Sequence, residues 1–355
     1  MDLMNFSLPG LNGYGFYISV GAYAAVSFIF YYYPNLLHAK KDRKDHNFVV
    51  VSHRGGSGEN KENTISAFEH SHRIGSDVIE LDCHITKDGQ VVVSHDNNLL
   101  RLCGKNKLIS ELNYDELPDL LEDQDEDMFL QKSADSLSRT VSSSLITNSI
   151  HRRSQDSNKT PHRIPLLEDI FINFPKTNVN LDVKINNDNL INKVNELVLK
   201  YKREHLTVWG SFNEKVTKKL YNLNPNVGIF FSSVGCAKLL LLMISGLLPF
   251  FKFKETHLEI IMPNRILRNR NLIPRGYIAF FILIKTFFIR KSFVKHLNKR
   301  GISVYYWVLN EEDEFKHAID LGVNGIITDY PSRLIDYIRD NKHIHTHIVR
   351  PIKNE

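Results

Sequence analysis

Cysteine is scarce in this chain: Cys83, Cys103 and Cys236 are the only three among 355 residues. Their number is odd, their spacing is wide and no CxxC pair occurs. Neither a disulfide framework nor a structural zinc site is expected, and a reducing compartment is. A strong charge of either sign is also missing. Charged residues make up 24% of the chain and the formal net charge is +5, too mild an imbalance for a nucleic-acid binder. Long apolar runs are rare as well, and only one is long enough to cross a bilayer.

That run is Phe16–Tyr33, about 18 residues without a charge, at the lower edge of a transmembrane length. Tyr31, Tyr32 and Tyr33 close it where an aromatic belt would lie. Lys40, Lys41, Arg43 and Lys44 follow, and no Lys or Arg precedes it. A secretory signal has the opposite charge order. The expectation is an uncleaved single-pass anchor with the body of the protein in the cytosol; so short and weakly flanked an anchor suits the endoplasmic reticulum. Leu239–Phe251 and Tyr277–Ile289 are too short to span. They read either as core helices or as surface lying on a membrane, the second because Arg265, Arg268, Arg270 and Arg275 lie between them.

Gln131–Thr160 holds 12 Ser or Thr in 30 residues and follows an acidic cluster, Glu122 to Asp127. Such a composition buries too little apolar surface to offset its ordering entropy, so a disordered insertion is expected. The organisation read from the sequence is an anchor with a basic flank at 1–45, one catalytic domain at 46–340 interrupted by 131–160, and a tail at 341–355.

In the catalytic domain strands alternate with helices. Strand-like runs fall at Phe48–Ser52, Val78–Asp82, Val91–Ser94, Asn178–Val183, Leu206–Trp209, Val227–Phe231, Glu259–Met262, Val304–Leu309 and Gly325–Thr328. Helical patterns lie between several of them; one is capped by Asn63 and closed by Gly75, another is Leu190–Glu204, and a third runs from Asn310 to Gly322. The alternation predicts a parallel sheet, and its extent predicts an α/β fold of the TIM (β/α)8 barrel class. The ninth strand is surplus. Val78–Asp82 and Val91–Ser94 are too close for a helical crossover, and Asp88-Gly89 between them predicts a two-residue hairpin. Pairing Lys87 with Gln90 then sets Asp82 opposite His95.

Polar residues directly after buried strands mark where such barrels keep their sites. His53 can move protons near neutral pH, and Arg54 can fork onto phosphate oxygens. Glu62 and Asn63 precede a helix whose amides could help hold an anion. Glu80 and Asp82, two apart on a strand, share a face, as do Asp182 and Lys184. Carboxylates turned into one barrel interior repel, and a divalent cation relieves that repulsion.

HRG at His53–Gly55, EN-T-AF from Glu62 to Phe68, and ELD-x-x-x-TKDG-x-VVV-x-HD from Glu80 to Asp96 resemble the glycerophosphodiester phosphodiesterase family. Pro165–Asp169, LDVK at Leu181–Lys184 and GIITDYP at Gly325–Pro331 fit the same pattern, over about Phe48 to Ile338. The anchor, HLTVWG at His205–Gly210 and YYWVLNEE at Tyr305–Glu312 resemble its membrane-bound lysophospholipase D branch. The resemblance implies a TIM barrel with His53 and His95 as the acid–base pair. It also implies Glu80, Asp82 and Asp182 around a Mg2+ or Ca2+ ion with His95 close to it, Arg54 and Lys184 on the substrate phosphate, and Glu62 and Asn63 in support. Many members have Glu where this chain has Asp182. The Ser-rich insertion has no counterpart in the pattern.

The expected activity is hydrolysis of lysophospholipids, lysophosphatidylcholine and lyso-N-acylethanolamine phospholipids among them, to lysophosphatidic acid and a free head group. Hydrolysis of water-soluble glycerophosphodiesters, and a catalytically inactive membrane scaffold, are the rival readings. The expected partners are the lysolipid and membrane lipids, with no nucleic acid and no obligate protein partner.

Overall fold

A computed structural model describes residues 13–41, 49–121, 163–263, 267 and 275–343. Nine strands form one sheet: β1 (Val49–Ser52), β2 (Val78–Ile85), β3 (Val91–Val93), β4 (Asn178–Val183), β5 (Thr207–Gly210), β6 (Gly228–Ile229), β7 (His257–Ile261), β8 (Ser303–Trp307) and β9 (Gly325–Thr328). Eight are parallel, in the order β6-β5-β4-β2-β1-β9-β8-β7. A parallel bridge between Phe230 and His257 joins the two ends into a barrel, and β3 pairs antiparallel with β2 outside that circuit. The sequence-derived runs coincide with all nine strands.

Residues alternate across each strand. Ile79, Leu81, Cys83, Val179, Leu181 and Val183 point outward into a buried layer under the helices. Val51, Val78, Tyr305 and Ile327 point inward and fill the lower barrel. Above them the inward positions turn polar: Glu80 stands beside Asn180, and Asp82 beside Asp182, in the β2–β4 register.

The helices are α1 (Gly13–Tyr32), α2 (Ile65–Arg73), α3 (Leu100–Cys103), α4 (Leu167–Asn173), α5 (Asp188–Lys200), α6 (Glu214–Leu223), α7 (Ser233–Ile244), α8 (Arg275–Phe287), α9 (Lys291–Lys299), α10 (Glu312–Leu321) and α11 (Pro331–Asp340). Thr64, not Asn63, caps α2: its hydroxyl accepts from the Ala67 amide at 3.2 Å, an interaction worth about 1 kcal/mol. Asn63 has left-handed backbone, φ 56°, and its side chain is used elsewhere.

The hairpin departs from expectation by one residue. Cys83 pairs with Val93 and Ile85 with Val91, so Asp82 lies opposite Ser94, whose amide donates to the Asp82 carbonyl at 2.9 Å. The cause is the turn. Thr86 and Gln90 close a three-residue loop with Gly89 at φ 82°, the form in which glycine takes the left-handed third position.

Among the described residues, α1 is the one helix long and apolar enough to cross a membrane. Most of it is exposed. Its second half docks on the barrel: Tyr23 Oη donates to the Ser245 carbonyl and Ser27 Oγ to the Gly246 carbonyl, both at 2.5 Å, and Tyr31 stacks on His296 at 4.8 Å. The chain then crosses the lower rim, where the Lys41 amide donates to the Arg300 carbonyl at 3.2 Å. The end of the region expected to be the anchor is therefore part of the barrel's packing. Arg43, Lys44, the acidic cluster, the 131–160 insertion, Arg265, Arg268, Arg270 and the tail beyond His343 lie outside the described residues.

Candidate active site

The site sits at the carboxyl ends of β1, β2, β4 and β9. After β1 the backbone runs through three consecutive left-handed residues, Arg54 (φ 51°), Gly55 (φ 81°) and Gly56 (φ 88°). This turn aims the Arg54 amide at Glu80, which accepts at 2.7 Å. Glycine is required at Gly55: a Cβ there would lie 2.8 Å from the Phe68 ring. Burial opposes charge on His53. The hydrogen bond from Nδ1 to Asp329 (2.6 Å) and the nearby charge of Glu80 outweigh it and hold the imidazole above its ordinary pKa. Asp329 in turn accepts from Ser57 (2.5 Å) and Asn310 (2.8 Å). Burial would raise its pKa, but these donors and His53 bring it to about 2.

His95 follows β3 and donates from Nδ1 to Asp96 at 2.7 Å. Despite the register shift it lies close enough to Asp82 and Asp182 to act electrostatically on both. Asp96 is bound by Arg101 Nε at 2.6 Å. The other end of Arg101 forks onto Glu62 at 2.7 and 3.0 Å, and Glu62 also accepts from Arg54 at 3.2 Å. One chain of charge-assisted bonds thus connects His95 to Arg54. Glu62 thereby holds both arginines. Asn63 Nδ2 donates to Asp82 at 3.0 Å. The helix cap itself belongs to Thr64.

Lys184 Nζ bridges Asp82 at 2.7 Å and Asp182 at 2.6 Å, and those carboxylates push its pKa upward against burial. Glu80 is raised to about 7 by burial and by Asp82. Asp182 is raised by burial, and its Oδ1 has no hydrogen-bond partner. Glu259, on the inner face of β7, is also raised, to about 8, by burial, with Asn180 donating to it at 2.8 Å. All nine residues singled out from the sequence lie at one end of the barrel.

The glycerophosphoryl diester phosphodiesterase family model matches residues 53–333. The chain belongs to that family. Lysophospholipase D GDPD1 of Homo sapiens is 44% identical over 326 residues, covering 91% of this chain and 96% of that protein. Lysophospholipase D GDPD3 of Homo sapiens is 34% identical over 340 residues, covering 95% and 96%. Among solved structures, the glycerophosphodiester phosphodiesterase of Agrobacterium tumefaciens covers 81% of this chain and 99% of its own at TM-score 0.55 and 17% identity. A phosphodiesterase of Oleispira antarctica in complex with sn-glycerol-3-phosphate covers 82% and 97% at TM-score 0.56 and 18% identity. These two share the fold. As a family member the chain is a phosphoric diester hydrolase.

Family chemistry implies a divalent cation, and the donor set suits one. Three buried carboxylates supply the hard oxygen ligands such ions take. Two of them are raised, by burial first and then by the charge of Asp82, and Asp182 Oδ1 is unbonded. Among the described residues no three His, Cys, Asp or Glu side chains form a ready-made cage. Lys184 lies between two of these carboxylates instead.

Asp329, Asp96, Arg101 and Glu259 were not singled out from the sequence. The signal for Asp329 was its place directly after β9, matching that of His53 after β1. Glu259 was marked by being the lone acid in an apolar strand. Arg101 carried no signal, since its value lies in two partners 39 and 5 residues away.

Proposed function

We propose that this family member is a membrane-anchored lysophospholipase D that releases the head group of lysophospholipids, lysophosphatidylcholine and lyso-N-acylethanolamine phospholipids among them, and leaves lysophosphatidic acid. The observation that carries the substrate class is the 44% identity with lysophospholipase D GDPD1 across 91% of the chain. The α1 helix agrees with it, because a single-chain lipid is drawn from a membrane. In this reading α1 crosses the endoplasmic reticulum membrane once and the barrel is cytosolic.

Arg54 and Lys184 bind the phosphodiester oxygens. Asp329 holds the Nδ1 proton of His53, leaving Nε2 for the substrate, and its charge favours the imidazolium. His53 is therefore the general acid that protonates the departing head-group alcohol as the P–O bond breaks. His95, oriented through Nδ1 by Asp96, is the base that takes the proton of the attacking hydroxyl. The attacker is water or the neighbouring glycerol hydroxyl, the second by way of a cyclic phosphate. Glu80, Asp82 and Asp182, with His95 nearby, would hold a Mg2+ or Ca2+ ion, which when bound neutralises charge on the phosphoryl oxygens.

Purified protein given lysophosphatidylcholine or glycerophosphocholine, with and without EDTA, tests the reading. Turnover of the lysolipid that EDTA abolishes is expected. Turnover of glycerophosphocholine alone would make the enzyme a hydrolase of soluble diesters, and inactivity on both would leave a scaffold.

A further inference from the structure

Helices on the outside of a soluble barrel carry charge on their outer faces, as α6 does with Lys215, Lys218 and Lys219 and α10 with Glu312, Asp313 and Lys316. Two neighbouring helices instead expose mainly large apolar residues, with one exposed lysine each among the described residues, Lys238 on α7, whose ammonium lies over the Phe251 ring at 5.3 Å, and Lys285 on α8. On α7, Leu239 and Leu242 are buried in the core, while Val234, Leu241 and Ile244 form an outward stripe at helical spacing, with Leu241 67% exposed. On α8, Ile284 is buried while Tyr277, Phe280 and Leu283 face out, with Tyr277 60% exposed. We propose that the barrel itself lies against the bilayer beside α1, presenting the outer faces of α7 and α8 to lipid, so that lysolipid moves along α7 from the membrane to the barrel mouth. This rests on reading α1 as a membrane span and deepens the lysolipid proposal.

Three observations select a lipid surface as the occupant. The stripe is continuous with the anchor: α1 is hydrogen-bonded through Tyr23 and Ser27 to Ser245 and Gly246 at the end of α7, and Phe30 packs on Phe250 at 5.8 Å. A bilayer around α1 therefore meets this flank of the barrel first. The charge also fits. Among the described residues from Ser233 to Arg300, seven Lys or Arg are exposed, Lys238, Lys285 and Arg290 among them, against two acids, Glu255 and Glu259, and Glu259 is turned into the barrel, so the surface here suits anionic head groups. The far end of the stripe reaches the site. The Ser233 amide beside Val234 donates to the Phe212 carbonyl at 3.1 Å, and Phe212 packs edge-on against Trp307, the last residue of β8, at 5.9 Å. The 12 residues of α7 cover roughly 18 Å, so the mouth lies one short helix from the anchor.

The test uses the full chain in vesicles containing anionic phospholipid. Cys83 and Cys103 are buried, so a Cys236→Ala background accepts single labels at Leu241→Cys, Ile244→Cys or Phe280→Cys. Ile18→Cys reports the anchor and Ile172→Cys, exposed on α4, reports water. A fluorophore at each position is challenged with brominated acyl chains and with aqueous iodide. Quenching of the α7 and α8 labels by brominated lipid, and protection from iodide, is the expected result. Labels that follow Ile172→Cys while Ile18→Cys is lipid-quenched would overturn the docking and leave the anchor standing. Loss of lipid quenching at Ile18→Cys as well would overturn both. Labels shielded from iodide yet untouched by brominated lipid would mean that a second copy covers the face, and would overturn the proposal too. In parallel, Leu241→Glu with Ile244→Glu is expected to lower kcat/KM on vesicle-borne lysolipid about tenfold, the loss of a reversible interfacial contact, with glycerophosphocholine turnover unchanged. Equal turnover of vesicle lysolipid by this variant and the native chain would count against the route. If the lysolipid is no substrate at all, the quenching still decides the docking.

Discussion

His53 and His95 sit in matching arrangements: each donates Nδ1 to a carboxylate, Asp329 at 2.6 Å and Asp96 at 2.7 Å, and so presents Nε2. If both move protons, His53→Ala and His95→Ala each lower kcat by at least about a hundredfold, the scale for losing general acid or base help. A near-normal rate in either folded variant removes that residue from the mechanism. Their carboxylates allow a sharper test. Asp329 helps raise the pKa of His53. With Asp329→Asn the imidazolium loses its counter-charge and its pKa falls, so His53 sheds its proton at lower pH. Because the acid form is the working one, the alkaline limb of the kcat/KM profile is expected to move to lower pH. An unmoved limb would assign the acid role elsewhere. At this scale the sequence was readable wherever one strand carried the whole signal, as at Glu80 and Asp82 or Asp182 and Lys184. It was silent where partners meet only through the closed barrel: Asp329 joins His53 from 276 residues away.

Elements set these positions through backbone shape and register. The β2–β4 register places Asp82 beside Asp182, and Lys184 offsets only part of their charge. Chelation is expected to abolish turnover. Asp182→Asn, which removes a ligand with little change of shape, is expected to weaken Mg2+ or Ca2+ binding measured by titration calorimetry. Full activity after exhaustive chelation, or unchanged ion affinity, would end the metal assignment. The turn after β1 has little tolerance. A methyl at Gly55 would occupy left-handed backbone and press on Phe68 and Ala67, costing about 2–4 kcal/mol from strain and overpacking together. Gly55→Ala should lower the denaturation midpoint accordingly and lose activity as the Arg54 amide leaves Glu80; a variant as stable as the native chain would show that the turn relaxes freely. All nine strands were legible because apolar period and turn residues both marked them. The hairpin register was not, because Asp88-Gly89 serves a two-residue or a three-residue loop equally well, and only the pairing of Thr86 with Gln90 decides between them.

On the scale of the whole molecule, barrel closure brings the β1, β2, β4 and β9 ends together, and α1 packs on one flank of the barrel through Tyr23 and Ser27. The chain leaves and re-enters the described structure on a single patch: Leu120 and Ile164 belong to one buried cluster with Val92, Leu99 and Leu102. The Leu121 amide donates to the Leu102 carbonyl at 2.8 Å, and the Pro165 carbonyl accepts from the Val93 amide at 2.9 Å. The segment 122–162 thus has both flanks held by the barrel itself. Deleting 131–160 shortens it from 41 residues to 11, nearly two halvings, which favours the folded state by about 1 kcal/mol if the segment adds nothing to the core. The melting temperature should then stay level or rise by about 2–4 °C, and turnover of a water-soluble diester should be unchanged. Calorimetry of the deleted and full-length chains in the same detergent decides. A fall of several degrees would mean that the Ser-rich segment packs on the barrel, and that a composition poor in apolar residues was misread as carrying no structure.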